Sequence, residues 1–258
     1  MRRAEPQWGT VISVDVRDPI GADPLDDFFS WFRRVDDLFS TWRPETEISR
    51  IGRGDMEPCA AQQEVRDVLA ACADLKRETN GAFDIGYGRK LETLQPGQAA
   101  IDPSGYVKGW AVGEAAGRLA AAGFENFSIG AGGDVVVRGG PDPADAHSLW
   151  RVGVRHPWEP KHVSMVLGLR DFSCATSGCY ERGEHVVDPR DGSAVTGLVS
   201  ATVIGPDLGI ADAYATALLV LGEDGLPWLV SHPGYDAVVI TSDQRVVLTP
   251  GLERVRLS

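Results

Sequence analysis

The chain has 258 residues, 43% of them hydrophobic, with 37 acidic against 25 basic side chains for a formal net charge of −12. That length can bury a full core as one large domain or two small ones, and seven tryptophans amid ordinary apolar content exclude disorder as the dominant state. The acidic balance lacks the basic footprint of a general nucleic-acid binder, and no apolar run is long enough to cross a bilayer.

The opening MRRAEPQWGT has no apolar signal core, which reads as a cytoplasmic protein. Residues 8–17 alternate apolar and polar and predict a strand. From Pro24 to Phe39 the apolar positions Leu25, Phe28, Phe29, Phe32, Val35, Leu38 and Phe39 follow helical spacing, with Asp23 as N-cap. A polar turn, STWRPETEISRIGRG, comes next. A second helix runs from about Gln62 to Glu78 and stops at Asn80-Gly81; a third runs from Gly109 to Ala122 and closes at Gly123. Strands at 126–129 and 134–138 flank the turn GAGG, and 139–148 reads as an exposed loop. Further strands are predicted at 150–155 and 163–169, then a turn-rich segment from Ser173 to Gly197 and a strand at 199–204. A helix over 210–221 and β pattern at 237–241 and 245–248 complete the chain. Helices gather in the first half and strands in the second, which predicts an α+β fold.

Four segments carry candidate chemistry. In SIGAGGDVVVRGG the glycines join strand to strand, not strand to helix, so the dinucleotide-binding reading fails. What remains is either a plain hairpin or a bare backbone turn that a flat or phosphorylated ligand can approach. In ADAYATALLVLG, Asp212 and Thr216 share one helical face. They could hold a hard cation such as Mg2+; alternatively Asp212 answers the helix dipole and Thr216 merely packs. HVVDPRDG offers His185 and Asp188 as base or ligand, and Thr176 and Ser177 upstream offer hydroxyls. In IDPSGYVKGWAV, Asp102 and Lys108 bracket a Ser-Gly turn, while NGAFDIG places Asp84 after a glycine turn. The four cysteines, Cys59, Cys72, Cys174 and Cys179, show no zinc spacing and read as reduced thiols, Cys174 or Cys179 being the only candidates for a nucleophile.

Taken in order, these segments resemble the FAD:protein FMN transferases, the ApbE family. WGTVISV resembles the family's opening M-G-T strand with Trp8 in the methionine place, and FSTWRPETEISRI its S-x-[YW]-x-P-x-S-E segment with Trp42 at the aromatic position. TNGAFDIG, IDPSGYVKGWAV, SIGAGGDVVVRG, TSGCYERG, HVVDPRDG and ADAYATALLVLG match six further motifs; Gly113, followed by Glu114, stands where the family often has Asp. The resemblance implies one domain over 1–258, with two intertwined α+β lobes around a flavin cleft. It also implies Mg2+-dependent transfer of FMN from FAD to a Thr or Ser hydroxyl of an acceptor flavoprotein, with AMP released. By position, Asp212, Thr216 and the carbonyl of Gly105 would hold the metal, and Trp8, Trp42, Ala82, Phe83, Asp84, Asp102, Lys108 and Val186 would line FAD. His185 would be the catalytic base. The same cleft would serve an FAD diphosphatase, or a flavin-binding protein without turnover. A chain without a signal would act on a cytoplasmic acceptor, or on the cytoplasmic side of a membrane flavoprotein.

Overall fold

A computed structural model describes residues 1–19, 25–86, 101–159, 161–179 and 187–257. Strands β1 (Arg2–Gln7) and β2 (Thr10–Val16) form a hairpin. Trp8 and Gly9 are its turn, both at positive φ (53° and 73°), as a two-residue type I′ connection requires. The strand expected from residue 8 therefore starts later, and β1 was not expected at all. Helix α1 (Leu25–Phe39) buries all seven apolar positions read from the spacing, and Trp31 as well. Each buried Phe there contributes about 1.5–3 kcal/mol by removal from water. The proposed cap Asp23 lies outside the described residues.

The expected polar turn contains a short helix, α2 (Glu47–Arg53). Thr46 Oγ1 caps it by accepting the Ser49 N–H at 3.3 Å, and Gly54 ends it at φ 78°. Helix α3 (Gln63–Glu78) stops before Asn80 and Gly81, both at positive φ. Helix α4 (Ser104–Ala121) begins earlier than the expected Gly109. Asp102 Oδ1 accepts the N–H of Ser104 at 3.1 Å, so Gly105 and Lys108 are helical and not part of a preceding turn.

Strands β3 (Phe127–Ala131) and β4 (Asp134–Arg138) form a hairpin through Gly132 and Gly133. Next come β5 (Trp150–Arg155), β6 (Val163–Leu169) and β7 (Phe172–Gly178), the last occupying the start of the segment read as turns. Strand β8 (Leu198–Gly205) leads into α5 (Leu208–Leu221), whose cap Asp207 accepts the Ile210 N–H at 2.9 Å. Helix α6 (Leu226–Val230), β9 (Asp236–Thr241), β10 (Val246–Leu248) and β11 (Arg256–Leu257) end the chain. The α+β class holds.

The described strands form two antiparallel sheets: an eight-stranded one ordered β1-β2-β3-β4-β7-β8-β9-β10 and a three-stranded one ordered β11-β6-β5. Side chains alternate between the faces of the larger sheet. Val136, Ala175, Val203 and Val239 join a large core with the helices, while Val137, Cys174, Ile204 and Val238 join a smaller core with Trp150, Met165, Leu167 and Leu169. The order of layers is thus helices, large sheet, small sheet.

Helices α4 and α5 cross at two glycines. A Cβ on Gly109 would lie 2.5 Å from the Leu208 carbonyl oxygen and 2.9 Å from the Gly209 Cα. Replacing a mid-helix glycine by alanine gains about 1 kcal/mol of helix propensity. Here the opposing atoms are backbone and cannot rotate away, so overpacking of about 1–3 kcal/mol wins. We expect Gly109→Ala to lower the chemical-denaturation midpoint; a raised midpoint would show that the helices separate freely.

Candidate active site

The crossing fixes which residues of the two helices meet. Lys108 precedes Gly109 on α4, and its Nζ lies 2.6 Å from Asp134 Oδ2 and 3.8 Å from Asp212 Oδ2. Asp134 opens β4 and shares the helix-facing side with Val136. Its side chain is 0% exposed, that of Asp212 is 4% and that of Lys108 is 25%. Lys108 is thus in contact with Asp134, while Asp212 lies more than 1 Å further off. Burial pushes the Asp134 carboxyl up from its ordinary value, against Lys108, which pulls it down. Asp134 Oδ1 also accepts the Thr176 N–H at 3.1 Å, which ties β4 to β7.

Asp212 lies past the first turn of α5, which carries no acidic residue. A role for it in answering the helix dipole is therefore not available. One turn on, Thr216 Oγ1 lies 3.1 Å from Ser177 Oγ. The alternation of β7 explains why Ser177 makes this contact: it shares a face with Ala175, which packs toward the helices. Thr176 points the other way and meets Thr202 Oγ1 at 2.9 Å. A Cβ on Gly105 would be 3.7 Å from Thr216 Oγ1 and 3.3 Å from the Phe83 ring. The first turn of α4 therefore lies against both.

Phe83 and Ala82 are buried in the large core, and Thr79 Oγ1 accepts the Phe83 N–H at 3.0 Å. Asp84 pairs with Lys76 Nζ at 2.7 Å and accepts the Gly86 N–H. The Asp102 N–H donates to the Ile85 carbonyl at 2.8 Å, which joins the NGAFDIG turn to the start of α4. Arg190 packs on that same turn, its Cγ 3.4 Å from where a Cβ on Gly81 would sit. Trp8, at the hairpin tip, stacks edge-on against Phe32 with ring centres 5.5 Å apart, while Trp42 is 74% exposed. His185 and Val186 lie outside the described residues. Sequence reading missed Asp134 as an individual residue, because a carboxylate after a glycine turn is an ordinary hairpin feature until its partner on α4 is known.

Burial pushes the Cys174 thiol up to about 12 and also raises Cys179, so neither is an activated thiolate. Among the described residues no group of three or more His, Cys, Asp or Glu side chains could hold a metal ion. The oxygens present are of the kind a hard cation takes: the Asp212 carboxylate, the Thr216 hydroxyl and the main chain at Gly105. No described helix is long and apolar enough to cross a membrane.

The chain matches the ApbE family over residues 8–99 and 89–239. It belongs to that family. A Rhodobacter capsulatus protein named FAD:protein FMN transferase is 36% identical over 61% of this chain, which spans only 31% of that relative's length. A Vibrio cholerae protein of the same name is 27% identical over 74% of this chain and 71% of its own length. One from Treponema pallidum is 30% identical over 75% and 58%. The flavin transferase ApbE structure from Vibrio cholerae superposes with a TM-score of 0.83 at 22% identity, covering 99% of this chain and 98% of that one. The ApbE protein of Thermotoga maritima gives 0.82 at 22% identity over 100% and 99%. The chain thus has the fold of the ApbE family.

Asp188 and Arg190 give the site segment a pH dependence. Arg190 Nε donates to Asp188 Oδ1 at 2.8 Å and Nη2 to Oδ2 at 2.5 Å, holding the carboxyl below its ordinary value of 3.8 against the effect of burial. A depressed carboxylate contributes stability that is fully present above the unfolded value and is lost as pH falls through the folded one. We expect Asp188→Asn to melt lower at neutral pH and to lose less on acidification below pH ~4 than the parent. Parallel melting curves between pH 3 and 7 would refute the assignment.

Proposed function

We propose that this chain transfers FMN from FAD to a Thr or Ser hydroxyl of an acceptor flavoprotein, releasing AMP, with Mg2+ as its metal. The observation that carries this reading is the convergence of Gly105, Lys108, Asp134, Asp212 and Thr216 at one helix crossing. The names of the relatives supply the chemistry.

In this reading Asp212 and Thr216, with the Gly105 carbonyl, hold the cation, whose charge offsets that developing on diphosphate oxygens. Lys108, partly exposed, presents its ammonium to a phosphate oxygen while Asp134 anchors it from behind. The acceptor hydroxyl oxygen bonds to the FMN phosphorus, the bond from that phosphorus to the bridging oxygen breaks, and AMP leaves with the bridging oxygen. The hydroxyl proton passes to a base, which we assign to His185. Asp84 and Asp102, joined through Ile85, and the aromatic faces of Trp8 and Trp42 are where we place the rest of FAD.

The test is AMP release from FAD by the purified protein, with and without Mg2+ and a Thr-containing acceptor, followed by mass spectrometry of the acceptor. FMN bound to Thr or Ser supports transfer. AMP and free FMN with an unmodified acceptor would mean hydrolysis, and FAD binding without AMP release would mean a flavin carrier. Asp212→Ala should abolish the Mg2+-dependent rate; unchanged turnover would remove Asp212 from the metal site. His185→Ala should slow transfer about 10²–10⁴-fold with FAD affinity retained, and an equal loss of both would refute its role as base.

A further inference from the structure

The position of Lys108 raises a question that the proposed reaction does not answer. An ammonium 3.8 Å from Asp212 Oδ2 competes for the carboxylate assigned to the divalent ion. Repulsion between the lysine and the ion would weaken the site unless something held the lysine back. Asp134 is placed to do so: its carboxylate is 2.6 Å from Lys108 Nζ, more than 1 Å closer than Asp212.

Asp134 is itself rigidly held. Its side chain is wholly buried, it follows directly on the Gly132–Gly133 turn, and Oδ1 accepts the Thr176 N–H at 3.1 Å. The next residue on β7, Ser177, is the one whose hydroxyl meets Thr216. One carboxylate thus fixes Lys108 on α4 through Oδ2 and, through Oδ1, the stretch of β7 that supports Thr216. Lys108 cannot move far along its helix axis, because the next residue, Gly109, is pressed against the Leu208 carbonyl. The side chain can still swing between the two carboxylates.

We propose that Asp134 is a positioning residue that holds Lys108 clear of Asp212, so that Asp212 is available to a divalent cation. The inference rests on the metal reading above. It assigns Asp134 no contact with the metal or with FAD. Without the Asp134 charge, Asp212, already 3.8 Å away, draws the lysine, which becomes a tethered competitor for the ion. The deletion should therefore be repaired by also removing the lysine. A purely architectural pair would show the same repair in stability, since losing both partners costs less than losing one, but would leave Mn2+ affinity unchanged among variants that are folded.

The experiment titrates Mn2+ into the full chain, with FAD present, and reads free Mn2+ by electron paramagnetic resonance. Asp134→Asn should weaken Mn2+ binding about 10-fold, as losses of supporting groups around a metal site commonly do. Asp134→Asn combined with Lys108→Met should recover most of that loss, although Lys108→Met removes a charge that FAD would use. Melting curves of all variants separate misfolding from lost binding: a variant that is folded at the assay temperature counts, and the double variant supplies a second folded case. Equal Mn2+ affinity in Asp134→Asn and the parent would overturn the positioning role. So would a double variant no better than Asp134→Asn. A parent chain that binds no Mn2+ would instead remove the metal reading itself.

Discussion

The site depends on a contact between backbones. Gly109 and Gly209 let α4 and α5 approach until a methyl group at the first would overlap the Leu208 carbonyl. That approach brings Lys108 within reach of Asp212, and Gly105 against Thr216. Helices held apart by ordinary side chains, at 8–10 Å between axes, would leave a lysine and an aspartate to find other partners. The glycines cost helix propensity on α4 and α5, and the crossing geometry offsets it.

The second constraint is the sheet under the crossing. Antiparallel pairing of β3 with β4 and of β4 with β7 sets Asp134 and Ser177 on the face that meets the helices. Their neighbours Val137 and Cys174 face the small sheet and belong to another core. A one-residue slip of β4 against β7 would exchange these sets, burying a carboxylate among Trp150 and Leu167. Charge placement and hydrophobic packing therefore specify the same register. A buried ion pair is weak evidence for stability, since breaking it costs about 3–5 kcal/mol while replacing it whole can cost nothing.

Part of the candidate site's geometry was legible in the chain. Asp212 and Thr216 share a face by helical spacing alone, and α5 bears that out. The glycines at 132–133 form a strand-to-strand turn, as the β-branched run after them required. Other features were hidden for identifiable reasons. α2 is only seven residues long and polar, so its caps at Thr46 and Gly54 are its only signal. The early start of α4 depends on the Asp102 side chain closing a turn onto Ser104. β7 reads as a turn because Thr, Ser and Gly suit turns; pairing with β4 and β8 overrides that preference.

Sequence alone determined the fold class, the helix faces, the order of the motifs and their family resemblance, because periodicity and local residue types are properties of neighbours along the chain. It could not determine that Asp134 faces Lys108 or that Ser177 and not Thr176 meets Thr216. Those choices follow from strand register and from the depth to which two helices can approach. Register and approach are set by packing among segments far apart in the chain, and only the tertiary structure brings them together.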